Sequence, residues 1–301
     1  MLRVLLIGCG DVALRTARLL RGRVALIGVT RRSDDIAKLR EHGIVPIVAD
    51  LDDFRTLARI AIAPFAALHF APPPSVGRDD TRIQKLIAAL SGAGRIPRRF
   101  VYISTSGVYG DCNGERIAET QPRRPASARA KRRVAAEDRL RAWAARQGIA
   151  LSVLRVPGIY AATRLPLERL RQRTPVLVDQ DDVYTNHIEA DDLARAIVAA
   201  LFRGRHNRAY NIVDDVEWKM GDWFDAIADA FHLERPPRVS RDEARSRIAP
   251  HSLSFMNESR RLINGRMRRE LRVRLRYATP STLLSEVAPR ELKKQLALTL
   301  G

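Results

Sequence analysis

At 301 residues and 46% hydrophobic side chains, the chain has material for one large α/β layer domain plus a smaller lobe, and it is too apolar for a disordered protein. Its 53 Lys and Arg against 34 Asp and Glu leave a formal charge of +19, carried almost wholly by arginine. Two cysteines, Cys9 and Cys112, exclude a disulfide framework or a structural zinc site, and the absence of any eighteen-residue apolar run argues against a membrane span.

The first apolar run, RVLLIG (3–8), is too short for a secretory core and reads as a buried strand, so a reduced, cytoplasmic setting is the default expectation. Further runs rich in Val, Ile and Leu follow at 23–29, 44–49, 66–71, 99–104 and 150–156. Near-continuous apolarity of this kind marks strands covered on both faces. Helical patterns lie between them, at 11–21, 34–42, 53–62, 79–92 and 131–147. Strand alternating with helix predicts a doubly wound parallel sheet. After residue 158 the rhythm changes. A short helix is expected at 163–173, short strands at 175–179 and 184–188, and a strong amphipathic helix at 190–202. A strand at 208–214 and a helix at 219–232 follow, then a basic tail from 241 to 301. The expected division is a large layer domain over 1–158, onto which 187–216 packs back, with 159–186 and 217–301 forming the smaller lobe.

The turn after the first strand carries the clearest chemistry. Gly8-Cys9-Gly10-Asp11-Val12-Ala13 fits G-x-G-x-x-[GA] between a strand and a helix, the setting in which that pattern holds a pyrophosphate. The first glycine makes the turn, the second lets phosphate reach the backbone, and free N–H groups at the helix start face the anion. The end of the second strand sets cofactor choice. An acidic residue there would suit the ribose hydroxyl of NAD, whereas Thr30-Arg31-Arg32 suits the 2′-phosphate of NADP. NADP is the expected cofactor, with NAD second. Asp50 and Leu51, after the third strand, are placed for the adenine edge. The Ala71-Pro72-Pro73 turn after the fourth strand would run along the cofactor.

These residues resemble the short-chain dehydrogenase/reductases, and more narrowly the extended, NAD-dependent epimerase/dehydratase type. ISTSGVYGD (103–111), LRVPGIY (154–160), TNHIEADDLARAI (185–197) and YNIVDD (210–215) carry the likeness across about residues 1–216. The resemblance implies a Rossmann fold and adds Ser104, Pro157 and Ile159 to the cofactor site. It gives Thr105 the task of holding a substrate oxygen. In the family a Tyr-x-x-x-Lys pair moves the proton during hydride transfer. The stretch RPASARAKRRVAAEDRL (124–140) has no tyrosine. One alignment puts Ser127 and Lys131 at the pair. The preferred one, anchored on Glu137, puts Arg129 and Arg133 there, and arginine cannot act as a base. Arg133 would still hold the cofactor ribose. Tyr109, Tyr160 and His187 are the substitute acid/base candidates, and catalytic competence is an open question.

No metal site is expected. The acidic pairs 181–182, 191–192 and 214–215 have no His or Cys cluster beside them, and a helix start accounts for Asp191 and Asp192. The expected function is therefore an NADP(H)-binding oxidoreductase or epimerase/dehydratase relative, acting on a carbonyl, carbinol or nucleotide-sugar-like substrate. A non-catalytic cofactor sensor is the alternative. The expected partners are a small, anionic substrate and a second copy of the chain, without nucleic acid or membrane. A weaker reading gives polyanion binding to 235–276, where thirteen basic side chains face four acidic ones.

Overall fold

Val4, Leu5, Leu6 and Ile7 in the first strand have no solvent exposure at all, which is possible only where layers cover both faces of a sheet. The computed structural model describes residues 1–60 and 62–289. In chain order its strands are β1 (Arg3–Ile7), β2 (Ala25–Thr30), β3 (Ile44–Val48), β4 (Ala66–His69), β5 (Arg99–Thr105), β6 (Arg116–Ile117), β7 (Ala150–Val156), β8 (Gly158–Tyr160), β9 (Val176–Leu177), β10 (His187–Glu189), β11 (Arg208–Asn211), β12 (Arg238–Val239) and β13 (Arg261–Leu262). The helices are α1 (Asp11–Leu20), α2 (Ile36–Glu41), α3 (Thr81–Gly92), α4 (Ala128–Gln147), α5 (Leu167–Arg171), α6 (Ala190–Arg203), α7 (Met220–Ala230), α8 (Arg241–Arg247), α9 (Pro250–Leu253) and α10 (Gly265–Glu270).

Seven strands form one sheet in the order β11-β7-β5-β4-β1-β2-β3, and every neighbouring pair is parallel. This is the doubly wound Rossmann arrangement expected from the sequence. The chain order reverses between β1 and β4, so a crevice opens there at the carboxyl ends of the strands. Helices α1 and α6 pack together on one face, over a core that includes Leu14, Ala17, Ile197 and Leu201. The other face buries Ile83 and Leu86 of α3 with Leu140 and Trp143 of α4. A separate cluster, including Tyr160, Leu170, Trp223, Phe224 and Ile227, makes the core of the smaller lobe.

Local boundaries move where capping overrides periodicity. The expected helix at 53–62 is a 3₁₀ segment over Phe54–Arg59, started by the Asp53 carboxylate accepting the Arg55 N–H. Helix α4 begins three residues before its expected start, because Ser127 caps it by accepting the Ala130 N–H at 3.2 Å. The strand expected at 184–188 shifts to His187–Glu189, which pairs with β8.

The tail corrects the expected division. Residues 261–273 do not stay with the smaller lobe: β13 pairs with β6, and Met267, Leu271 and Val273 enter the core of the large layer. The part of the tail beyond 289 lies outside the described residues. Among the described residues, no helix is long and apolar enough to cross a membrane.

Candidate functional site

The β1–α1 turn is shaped by its two glycines in different ways. Gly8 sits at φ +87°, and a Cβ added there would come within 2.9 Å of the Ala71 nitrogen, so both conformation and space require glycine. Gly10 has an ordinary φ of −78° and serves as the N-cap of α1 with no side-chain cap. A Cβ on Gly10 would meet nothing within 4 Å. The open side of this residue faces a cleft of about 730 Å³, and the first N–H groups of α1 point toward the same space. Ala13 is buried against the sheet. Those features fit a dinucleotide pyrophosphate. Cys9 also lines the cleft, but burial pushes its thiol up to about 12 and rules out thiolate chemistry there.

At the β2 end of the cleft, the Thr30 hydroxyl donates to Asp35 Oδ2 at 2.8 Å and Arg32 donates to Asp35 Oδ1 at 2.9 Å. Arg31 and Lys38 line the wall beside them. Asp35 went unnoticed in the sequence because it lies inside a 3₁₀ turn (Ser33–Asp35) rather than at the strand end. Asp50, Leu51, Ala71 and Pro72 line the same cleft. Pro73 is buried and is not part of its lining, which corrects the expectation for that residue.

Strand β5 delivers the other end. Ser104 donates to the buried Glu137 at 2.6 Å, and Glu137 also accepts from Arg155 at 2.9 Å and from Arg123 at 3.4 Å. This network anchors α4 to β5 and β7 from behind. On the front, Arg133 donates to the Ile103 carbonyl at 2.8 Å and to the Tyr102 hydroxyl at 3.1 Å while lining the cleft. Arg129, one turn earlier, also lines it, with its guanidinium 4.6 Å from the centre of the Phe255 ring. Lys131 of the other alignment is exposed and lines neither cavity. Ser104, Pro157 and Ile159 are all in the cleft wall.

A second cavity of about 440 Å³ adjoins the first, and Thr105, Arg129 and Pro157 line both. Thr105 Oγ1 accepts the Gly107 N–H at 3.3 Å, which leaves the hydroxyl hydrogen available to a ligand. The far walls come from the smaller lobe: Arg169, Tyr184, His187, Trp223 and Arg260. Of these, His187 was singled out in the sequence as an acid/base candidate and Arg260 lies in the basic stretch 235–276; Arg169, Tyr184 and Trp223 are brought in by tertiary packing across segments with no local motif. The His187 ring stacks on Trp223 at 4.2 Å, and burial lowers its pKa to about 3, so it is a neutral imidazole.

Two substitute acids fall away. Tyr109 is 1% exposed, donates to Asn211 at 2.6 Å, and carries the Arg155 guanidinium on its ring, so it is a packing residue outside both cavities. Tyr160 is buried in the lobe core, and burial raises its phenol above the ordinary range. The arginines of 235–276 are dispersed into ion pairs such as Arg235–Asp229, Arg238–Asp225, Arg260–Glu258 and Arg266–Glu119. Among the described residues, no three His, Cys, Asp or Glu side chains converge as metal ligands.

The family model described as "NAD dependent epimerase/dehydratase family" matches residues 13–213. No curated protein sequence matches the chain. A conserved protein of unknown function from Silicibacter pomeroyi is 26% identical, with a TM-score of 0.81 over 97% of this chain and 99% of that one. A dTDP-glucose 4,6-dehydratase from Streptomyces venezuelae, solved with NAD, is 21% identical with a TM-score of 0.77, covering 96% of each chain. A UDP-glucose 4-epimerase from Thermus thermophilus, also solved with NAD, is 20% identical with a TM-score of 0.73, over 96% of this chain and 99% of that one. The last two share the fold.

Proposed function

We propose that this chain, which belongs to the NAD dependent epimerase/dehydratase family, holds NADP(H) in the larger cleft and receives a carbonyl or carbinol substrate in the smaller cavity, as an oxidoreductase or epimerase relative. The observation that carries this reading is Thr105: a single hydroxyl on the wall common to both spaces, with its hydrogen left to donate. A nicotinamide held in the cleft would supply or take the hydride. The Thr105 hydroxyl holds and orients the substrate oxygen. Arg133, fixed by the Ile103 carbonyl, would hold the cofactor ribose with its remaining N–H groups. Arg31, Arg32 and Lys38 give the adenosine end the positive charge that a 2′-phosphate needs, against Asp35, whose carboxylate is already engaged by Thr30 and Arg32. The sugar-nucleotide enzymes that share the fold make nucleotide sugars a substrate class to assay beside simple ketones.

A second reading, cofactor binding without turnover, is favoured by Arg129. In the preferred alignment, anchored on Glu137, it takes the family's tyrosine position, and an arginine there cannot act as a general base. Calorimetric titration of NADPH and NADH separates the possibilities. NADPH is expected to bind about tenfold or more tightly than NADH, and Arg31→Ala to narrow that gap. Equal affinities would remove the NADP assignment, and failure of both to bind would remove the reading altogether. Thr105→Val-sensitive oxidation of NADPH by any carbonyl in a substrate panel favours the enzyme. Stoichiometric binding with no turnover favours the sensor.

A further inference from the structure

Among the described residues, two guanidinium groups that line the smaller cavity form no ion pair, and the acid in its lining, Glu258, is taken by Arg260. Arg129 lies over Phe255 and, among the described residues, forms no ion pair or hydrogen bond. Arg169, on α5, lies over Phe224 with its guanidinium carbon 4.3 Å from the ring centre. Among the described residues its side chain donates only to the Pro175 carbonyl, at 3.3 Å, while its Nε is buried without a partner. Burial with no neighbouring carboxylate lowers the Arg169 pKa. The third arginine of the cavity is matched, since Arg260 pairs with Glu258 at 2.7 Å. Arg129 is exposed, but Arg169 is half-buried, and holding a half-buried cation without a counter-charge is unfavourable unless an anion enters the space. The same cavity is lined by the neutral His187–Trp223 stack, a flat and largely apolar surface.

We propose that the smaller cavity binds a small organic anion, a carboxylate or a phosphate monoester, whose charged group is met by Arg129 and Arg169 and whose body lies on the His187–Trp223 stack. The assignment rests on reading this cavity as the substrate site. It gives Arg129 a role in selecting substrate at the position where a proton donor would otherwise stand. A volume of about 440 Å³ suits a small ligand. Two aromatic-backed guanidiniums can close on carboxylate or phosphate oxygens with charge-assisted hydrogen bonds.

The full chain is titrated calorimetrically with malonate, inorganic phosphate and UDP-glucose, with and without NADPH, at constant ionic strength set by sodium chloride. Saturable binding of malonate or phosphate is expected, and which of them binds tells carboxylate from phosphate. Arg169→Gln is expected to weaken it about tenfold or more. Arg171→Gln, at an exposed position on the same helix, is expected to leave it unchanged. Arg129→Gln serves as the second variant should Arg169→Gln fail to fold, with the same loss expected. Binding that is equally strong in both cavity variants, or that chloride abolishes, marks surface association with an arginine-rich chain and overturns the proposal. Response to UDP-glucose alone overturns the small-anion assignment. A wild-type chain that ignores NADPH but binds malonate sinks the cofactor reading and leaves this one standing.

Discussion

The two ends of the larger cleft are made of different material. At the β1–α1 turn the grip is backbone: a left-handed glycine, an open glycine and the free N–H groups of a helix. At the β5–α4 junction it is side chain: Thr105, Arg129 and Arg133 in front, with Ser104, Glu137, Arg155 and Arg123 behind. A backbone grip depends on a few glycines and tolerates drift elsewhere. A side-chain site changes its chemistry with one or two replacements. Cofactor holding and catalysis can therefore part company within one fold.

That contrast fails if the buried network behind α4 is dispensable. Glu137→Ala leaves Arg155 buried without its carboxylate and is expected to cost about 3–5 kcal/mol in urea denaturation. A cost under about 1 kcal/mol would mean the junction is not held from behind. Next in size, Gly10→Val sharpens the other side. A side chain there occupies the phosphate space without straining the turn, so NADPH affinity should fall on the order of a hundredfold while the melting temperature stays put. A large drop in Tm would show that Gly10 serves the fold instead.

The smallest effect concerns His69, buried at the end of β4 near Tyr102, with neither ring nitrogen hydrogen-bonded. Burial lowers its pKa to about 3, so between there and the ordinary value near 6.5 the unfolded chain takes up a proton that the folded one refuses. Its contribution is complete above about pH 6.5 and is lost as pH falls, amounting to about 1 kcal/mol between pH 7 and 5.5. His69→Phe should flatten that limb of the stability–pH curve. An unchanged slope would assign acid sensitivity to other groups.

The cofactor end was legible because its signal is local. Glycine spacing after a buried strand names the turn, and continuous Val, Ile and Leu runs name the central strands. Glu137 also announced itself, by fixing which two arginines share the front of α4. The rest was hidden for identifiable reasons. Asp35 sits in a 3₁₀ turn that periodicity reads as helix. Tyr109 looked chemical within its V-Y-G turn, yet its hydroxyl is taken by Asn211 from a strand about a hundred residues away. Arg169, Tyr184 and Trp223 come from three segments whose meeting is a property of packing. The tail's return to the large layer had no local signal either, since β13 is two residues long.

That return has a consequence for biogenesis. The β6–β13 clasp joins segments far apart in sequence: Arg261 reaches the Gly114 carbonyl across 147 residues, and Arg266 reaches Glu119. Closing so large a loop is slow and entropically unfavourable until both edges exist. On a ribosome, the Gly114 segment waits for the 147 residues that separate it from Arg261 before its partner emerges. The nucleotide-holding half can therefore collapse early, whereas its rim is sealed only after Arg261 and Arg266 have been made.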